Sequence, residues 1–372
     1  YITNNLKKEQ IFMSKKSKQC QLQHKYLCKP RISPQVLKKG MKVKDLVDEY
    51  SRSGAFNAGR LAEACKLYCH MLDEDATIGL TLSGAMTPTG MGGILITLIE
   101  NGFVDFIIST GANLYHDLHF ALNLPIHQGD FRVDDTKLYE AGIERIYDIF
   151  ITDELLFKTD KFIQDVAKKY SATNPISTAD FHSILGKAVL ADTPSPHLSF
   201  VAQAARYGVP VFVSSPGDSS IGMNLSYLKI QNKGITIDTD LDVLQTTAIV
   251  FNSKKNGVIS IGGGSPKNFY MQTQPTLAQI LDINKGGHDY FIQITTDAPQ
   301  WGGLSGATPT EAISWGKIRS EDVKNHVVVY SDATIAMPIL AGYVISEKKP
   351  RKKKCLYKNL PAYISELKKH VK

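Results

Sequence analysis

The 372-residue chain has no run of about 18 uncharged apolar residues, so no membrane-spanning helix is expected. Its N-terminal stretch lacks an apolar segment followed by a small-residue cleavage site, so no secretory signal is expected either. Cysteine is scarce and odd in number: Cys20, Cys28, Cys65, Cys69 and Cys355. Scattered thiols in a chain this long exclude a disulfide framework and point to reduced cysteines in a cytoplasmic protein. Cys65 and Cys69 have i,i+4 helical spacing, but no second ligand pair stands near them in sequence, and no metal site is expected. Internal repeats and low-complexity segments are missing. So is the G-x-G-x-x-G fingerprint of dinucleotide binding. What is present in quantity is apolar sequence, 43% of the chain, enough for one large α/β domain or two smaller ones.

Charge is unevenly placed. Of 43 Lys and Arg residues, 22 lie in 1–44 and 347–372, together with only 3 of the 36 acids. The stretch 45–346 therefore holds 21 bases and 33 acids. An acidic body raises the local concentration of cationic ligands. The run Lys348–Lys354, "KKPRKKK", fits a nuclear signal, a nucleic-acid patch or a solvated tail. The solvated tail is the preferred reading, and no nucleic-acid partner is expected. Met13 is a candidate start, with residues 1–12 an upstream extension kept out of the fold reading. The chain then divides into a basic N-terminal extension (1–45), an acidic body (46–346) and a basic C-terminal tail (347–372).

Residues 46–72 carry helical periodicity, and "TIGLTL" (77–82) is a β-like run ending at Ser83-Gly84-Ala85. A helix pattern from Met91 to Glu100 stops at Asn101-Gly102. "FVDFIIST" (103–110) has the pattern of a buried strand, and 113–122 resumes helical spacing. The alternation recurs in "SFVAQAARYG", "VPVFVSS", "QTTAIVFNSK", "GVISIGGGSPKNF", "HDYFIQITT" and "NHVVVYSDA". Apolar strands spaced by helices of this length predict a parallel sheet with helices on both faces. Almost every predicted strand ends in small or polar residues: Thr110-Gly111-Ala112, Gly217-Asp218-Ser219, Gly262-Gly263-Gly264, Thr295-Thr296-Asp297 and Ser331-Asp332-Ala333. Ligands of open parallel sheets lie beyond those carboxyl ends. Glycine there lets backbone approach a phosphate, and helix N-termini favour its charge. Each loop alone could equally be a tight turn, but the loops together favour a nucleotide.

Residues 302–317, "GGLSGATPTEAISWGK", place Glu311, Trp315 and Lys317 after a loop of small residues. A lysine amine titrates near ~10.4 in water, and desolvation disfavours its charged form, leaving a free amine able to attack carbonyl or iminium carbon. An indole face attracts organic cations, and a carboxylate pairs an ammonium. On a regular helix, however, Trp315 and Lys317 would face apart, so the residues also fit an amphipathic helix with a core tryptophan. A turn or 3₁₀ segment would let both line one pocket.

The motifs resemble the deoxyhypusine synthase family. The likeness spans about residues 46–345 and rests on "STGANLYHDL", "PGDSSIG", "IGGGSPKN", "GLSGATPTEAISWGK" and "VVVYSDA". Their form is most similar to the prokaryotic deoxyhypusine synthase-like branch. The resemblance implies a Rossmann-like α/β fold, a homotetramer with sites between paired subunits, and NAD-dependent transfer of an aminobutyl group. By that resemblance NAD takes hydride from a polyamine carbon beside nitrogen, and a lysine traps the butyl-imine. An acceptor amine then displaces the lysine, and the new imine is reduced. Lys317 falls on the catalytic lysine position, with Glu311, Trp315, Gly302 and Gly303 in the substrate site. Cofactor positions fall on Gly84, Ala85, Met86, Thr87 and Pro88, and on Thr110, Gly111 and Ala112. Others fall on Asp218, Gly263, Thr296, Asp297, Asp332 and Ala333.

The departures concern the amine clamp. Two amine-binding aspartates of the family are Met223 and Leu304 here, a histidine after the glycine-triplet lysine is Asn268, and an acidic pair is Tyr115-His116. The covalent machinery is thus expected to be intact and the clamp rebuilt. The acceptor is either a protein lysine of a hypusine-type translation factor or a diamine, which would give homospermidine. A polyamine dehydrogenase without transfer and a non-catalytic NAD-binding homologue are the alternatives. His116, Asp117 and His119 invite a metal reading, but substrate contact or packing is preferred.

Overall fold

The computed structural model describes residues 19–28, 30–170 and 174–371; Met13 and residues 1–12 lie outside them. Among the described residues the strands are β1 (Thr77–Leu82), β2 (Phe106–Ser109), β3 (His127–Gln128), β4 (Ile143–Ile146), β5 (Ile149–Thr152), β6 (Val211–Val213), β7 (Asn256–Ile261), β8 (Tyr290–Thr295) and β9 (His326–Tyr330). Six of them make one sheet in the order β6-β2-β1-β7-β8-β9, with every neighbouring pair parallel. The chain starts at β1, winds outward to β6, crosses back to β7 and winds to the opposite edge at β9. This is the doubly wound order in which a ligand crevice opens where the winding reverses, here between β1 and β7.

Both faces of the sheet are covered, which is why its strands read as nearly continuous apolar runs. Side chains alternate between two cores with period two. Ile107 joins the core formed with helices Phe56–Asp73, Gly92–Glu100 and Ala333–Glu347. Its neighbours Phe106 and Ile108 join the opposite core, with helices Thr239–Asn252 and Gly264–Met271.

Three expectations are corrected. The single helical stretch expected over 46–72 is two helices, Val43–Ser53 and Phe56–Asp73, broken at Gly54 in the left-handed region (φ +59°). The boundary expected between 45 and 46 therefore falls inside the first of them. The insertion between β2 and β6, for which no strand was expected, carries the antiparallel sheet β3-β5-β4. Its strands are only 2 to 4 residues long and mostly not buried, so they leave little periodic signal.

The segment expected to be a solvated basic tail is docked. Leu356, Leu360 and Leu367 are buried in the second core, the last two on helix Leu360–Lys368. Much of the basic run is bound to the acidic body ahead of β1 and β2. Lys348 pairs with Asp73, and the Lys354 ammonium donates to the Asp75 carbonyl at 2.6 Å. Arg351 donates to buried Asp105 at 2.5 Å and to the Ala76 carbonyl at 2.9 Å. Lysines in a run look solvated in sequence because their partners lie about 250 or more residues away.

Candidate active site

The turn after helix Pro309–Ser314 decides where Lys317 goes. Pro309 opens this helix, and the Thr308 hydroxyl accepts from the Glu311 amide at 3.2 Å. Gly316 closes it in the left-handed conformation (φ +65°). The Gly316 amide donates to the Ile313 carbonyl at 2.9 Å, and the Lys317 amide donates to the Ala312 carbonyl at 3.0 Å. These two bonds form a Schellman cap, which reverses the chain within two residues. The Lys317 carbonyl then accepts from the His288 amide at 2.9 Å, tying the lysine to the segment before β8. Trp315 and Lys317, two positions apart, thereby line one cavity, with the Lys317 Nζ 5.6 Å from the indole centroid.

That cavity has a volume of about 300 Å³ and is also lined by Glu311, Leu304, Asn268 and Lys267. Met271, Phe291, Ala312 and Ile318 supply apolar wall. The Lys317 ammonium donates to Asn268 Oδ1 at 3.3 Å. Burial pulls the Lys317 amine below the usual lysine range, and the Glu311 carboxylate opposes this. The sequence reading left Lys267 out of the site. It is 4% exposed and donates to the carbonyls of Ala307 at 3.0 Å and Ser305 at 3.2 Å. Burial lowers its amine to about 8, while Glu311 and Asp297 act the other way. Its position after the glycine triplet was the only sequence signal that could have marked it.

A crevice of about 450 Å³ opens where the winding reverses. Ser83, Gly84 and Met86 follow β1, Gly262 and Gly263 follow β7, Thr296 and Asp297 follow β8, and Asp332 and Ala333 follow β9. Helix Gly264–Met271 begins at its edge. A Cβ on Gly263 would stand 2.5 Å from Ser305 Cα, so only glycine permits this approach. Ser305 joins crevice to cavity: it lines the crevice, its hydroxyl accepts from the Gly264 amide at 3.0 Å, and its carbonyl accepts from Lys267. The arrangement can hold a phosphate-bearing dinucleotide beside a reactive amine.

A family model described as deoxyhypusine synthase matches residues 45–344. The chain belongs to the deoxyhypusine synthase family. It is 44% identical over 348 residues to a deoxyhypusine synthase-like protein of Nostoc punctiforme, covering 91% of this chain and 89% of that protein. It is 42% identical over 311 residues to a Methanosarcina acetivorans protein named "Probable deoxyhypusine synthase 2", covering 83% and 88%. A crystal structure from Entamoeba histolytica, described as a candidate deoxyhypusine synthase, has the same fold, with a TM-score of 0.57 at 17% identity. It covers 86% of this chain and 99% of that one. Membership supports, at the coarse level, an enzyme that transfers aminobutyl groups.

Set against the family pattern, the chain brings together only part of the expected site. Glu311, Trp315, Lys317, Asn268 and Leu304 share the cavity; Gly302 and Gly303 lie in the exposed loop leading to it. Gly84–Pro88 and Thr110–Ala112 are joined by Asn113, a buried residue the sequence reading omitted. Its carboxamide accepts from the Met86 amide at 2.7 Å and donates to Thr110 Oγ1 at 2.9 Å. Ala85, Thr87, Pro88, Thr110, Gly111 and Ala112 do not line the crevice. Asp218 is exposed in the loop after edge strand β6. Met223 is exposed on helix Ser220–Ile230 and does not line the Lys317 cavity. Tyr115 and His116 are packed into helix contacts instead: Tyr115 donates to Asp160 at 2.9 Å, and His116 Nδ1 lies 3.0 Å from His119 Nε2. Desolvation lowers both imidazoles, to about 4 and about 3. Asp117 turns away from them and accepts from the Phe200 amide at 2.9 Å, so these three residues do not converge on one point.

Proposed function

We propose that this protein moves an aminobutyl group from a polyamine to an acceptor amine through an imine on Lys317, with NAD as hydride carrier. The observation that carries this reading is the Schellman turn at Gly316, which aims a partly desolvated lysine, a tryptophan face and a carboxylate into one cavity. The crevice suits NAD because it sits at the reversal of strand order, Gly263 leaves no room for a Cβ, and a helix starts at its edge. Gly84, Gly263, Thr296, Asp297, Asp332 and Ala333 would hold it, and bound NAD would supply hydride removal and return. Glu311 would pair one ammonium, and Trp315 would cover the methylene chain. Lys317, as the free amine, would capture the oxidised fragment.

The cavity offers one carboxylate and two cationic side chains, so a donor with several separated ammonium groups is poorly matched. A buried ammonium without a partner costs several kcal/mol. The donor is therefore a polyamine held at one end, and a diamine acceptor giving a homospermidine-type product fits better than a protein lysine of a hypusine-type translation factor. Exposed Leu304 and Trp315 at the cavity, with Trp301 in the preceding loop, suit burial against a second copy in a cytoplasmic homotetramer.

The test is borohydride trapping with NAD and a panel of polyamines. Wild type should gain a mass adduct on Lys317 and release a polyamine product. Lys317→Ala should keep NAD binding and lose both adduct and product. Lys317→Arg should fail equally, because a guanidinium stays protonated. Turnover by either variant would remove the covalent reading. Oxidation without transfer would leave a polyamine dehydrogenase.

A further inference from the structure

A second cavity, of about 410 Å³, lies on the other side of Trp315. It shares Trp315 and Gln272 with the Lys317 cavity. Its remaining walls come from helices Thr239–Asn252 and Gly264–Met271, from the short segment Thr273–Pro275 and from the π-helical turn Thr276–Ile280 that follows it. Short π segments of this kind recur at functional sites. None of the side chains lining it is ionisable; the polar groups are threonine hydroxyls and glutamine amides. One of them, the Thr247 hydroxyl, is fully buried and has no hydrogen-bond partner among the described residues. A buried hydroxyl left without a partner is costly, so its natural complement is a ligand that supplies one.

The two cavities differ in the form of amine they stabilise. Glu311 favours an ammonium on the Lys317 side. Hydroxyls and amides without a carboxylate favour a neutral amine on the other. We infer that the second cavity is the acceptor subsite and that it takes a small aliphatic primary amine, delivered as the free base beside Trp315. This rests on the covalent reading of Lys317. In the step it serves, the acceptor nitrogen adds to the imine carbon attached to Lys317. Two protons pass in turn from that nitrogen to the Lys317 nitrogen, and the carbon–nitrogen bond to Lys317 breaks. Lys317 leaves as an amine, the acceptor holds the carbon as a new imine, and nothing is oxidised or reduced. The indole lines both cavities and so stands beside the path from one to the other.

The step can be isolated without NAD. Purified protein is loaded with butanal, 1,4-diaminobutane is added, and borohydride then traps what remains on Lys317 for mass analysis. Thr247→Val removes the buried hydroxyl, and Ile280→Trp, at an exposed position on the cavity wall, obstructs it without touching the core. The ratio of discharge rate to loading rate should fall at least tenfold in each, with saturation moved to higher diamine. A ratio unchanged in both variants would overturn the subsite alone. Loading and discharge slowed equally would also overturn it, because the cavity would then serve the donor. A wild type that forms no adduct on Lys317 would overturn this inference together with the covalent reading beneath it.

Discussion

Replacing Lys267 with Met should damage catalysis far more than folding. The ammonium is buried, and among the described residues no carboxylate forms an ion pair with it. Its acceptors are the Ala307 and Ser305 carbonyls, with Gln293 Oε1 at 3.5 Å. With its amine lowered to about 8, this group is less stable charged in the folded chain than in the unfolded one. At pH 7, removing it relieves roughly 3 kcal/mol of charge burial. Methionine keeps the stem but leaves the Ala307 carbonyl without the ammonium, at about 1–3 kcal/mol. The Ser305 carbonyl still accepts from Gln293 Nε2 at 2.7 Å. The two terms nearly cancel. With unfolding entropy near 2.1 cal/mol/K per residue, a net change below about 2 kcal/mol moves Tm by no more than about 3 °C. Ser305 and Ala307, however, lose the clamp that sets them against the crevice and the cavity. A displacement on the order of 1 Å costs up to ~100-fold in rate, so kcat/KM should fall roughly ten- to a hundredfold. The assay is transfer kinetics beside thermal melts at pH 7 to 10. The unfolded lysine binds its proton more tightly than the folded one, so wild-type stability should rise relative to Lys267→Met as pH climbs through about 8 toward the ordinary lysine value. A kcat/KM within twofold of wild type would refute the reasoning. So would a melting loss near ~8 °C that accounted for the lost activity.

Two further outcomes follow from the geometry. Arg351→Ala strands the buried Asp105 carboxylate and should cost about 3–5 kcal/mol, read as a lower denaturant midpoint at unchanged slope. Asp105→Asn in that background should recover part of the loss, and a midpoint unmoved by Arg351→Ala would show that the basic run is not a latch. Leu304→Asp supplies the cavity with a second carboxylate beside Glu311. A partly exposed ion pair near 1 kcal/mol should raise spermidine over diamine turnover about fivefold, and an equal ratio in both proteins would separate donor choice from the missing carboxylate.

The sequence by itself determined the alternation of buried strands and helices, the small residues at the strands' carboxyl ends, and the Glu311, Trp315 and Lys317 cluster. These are local patterns: a strand buried on both faces must be apolar throughout, and a loop approached by another chain segment must be small. The short strands β3, β4 and β5 escaped because exposed strands of a few residues carry no period to read. Other features were settled only in three dimensions. Helical spacing places Trp315 and Lys317 on different faces, and the left-handed Gly316 overrides that spacing. Lys267 became part of the site because its carbonyl partners, about 40 residues later, fold over the start of its helix. Met223, Tyr115 and His116 fell outside the Lys317 cavity because β6 and β2, which their helices follow, lie on the far side of β1 from β8 and β9. The crevice itself exists because β7 returns to pair with β1 rather than β6, a choice made by packing among strands that are up to about 180 residues apart.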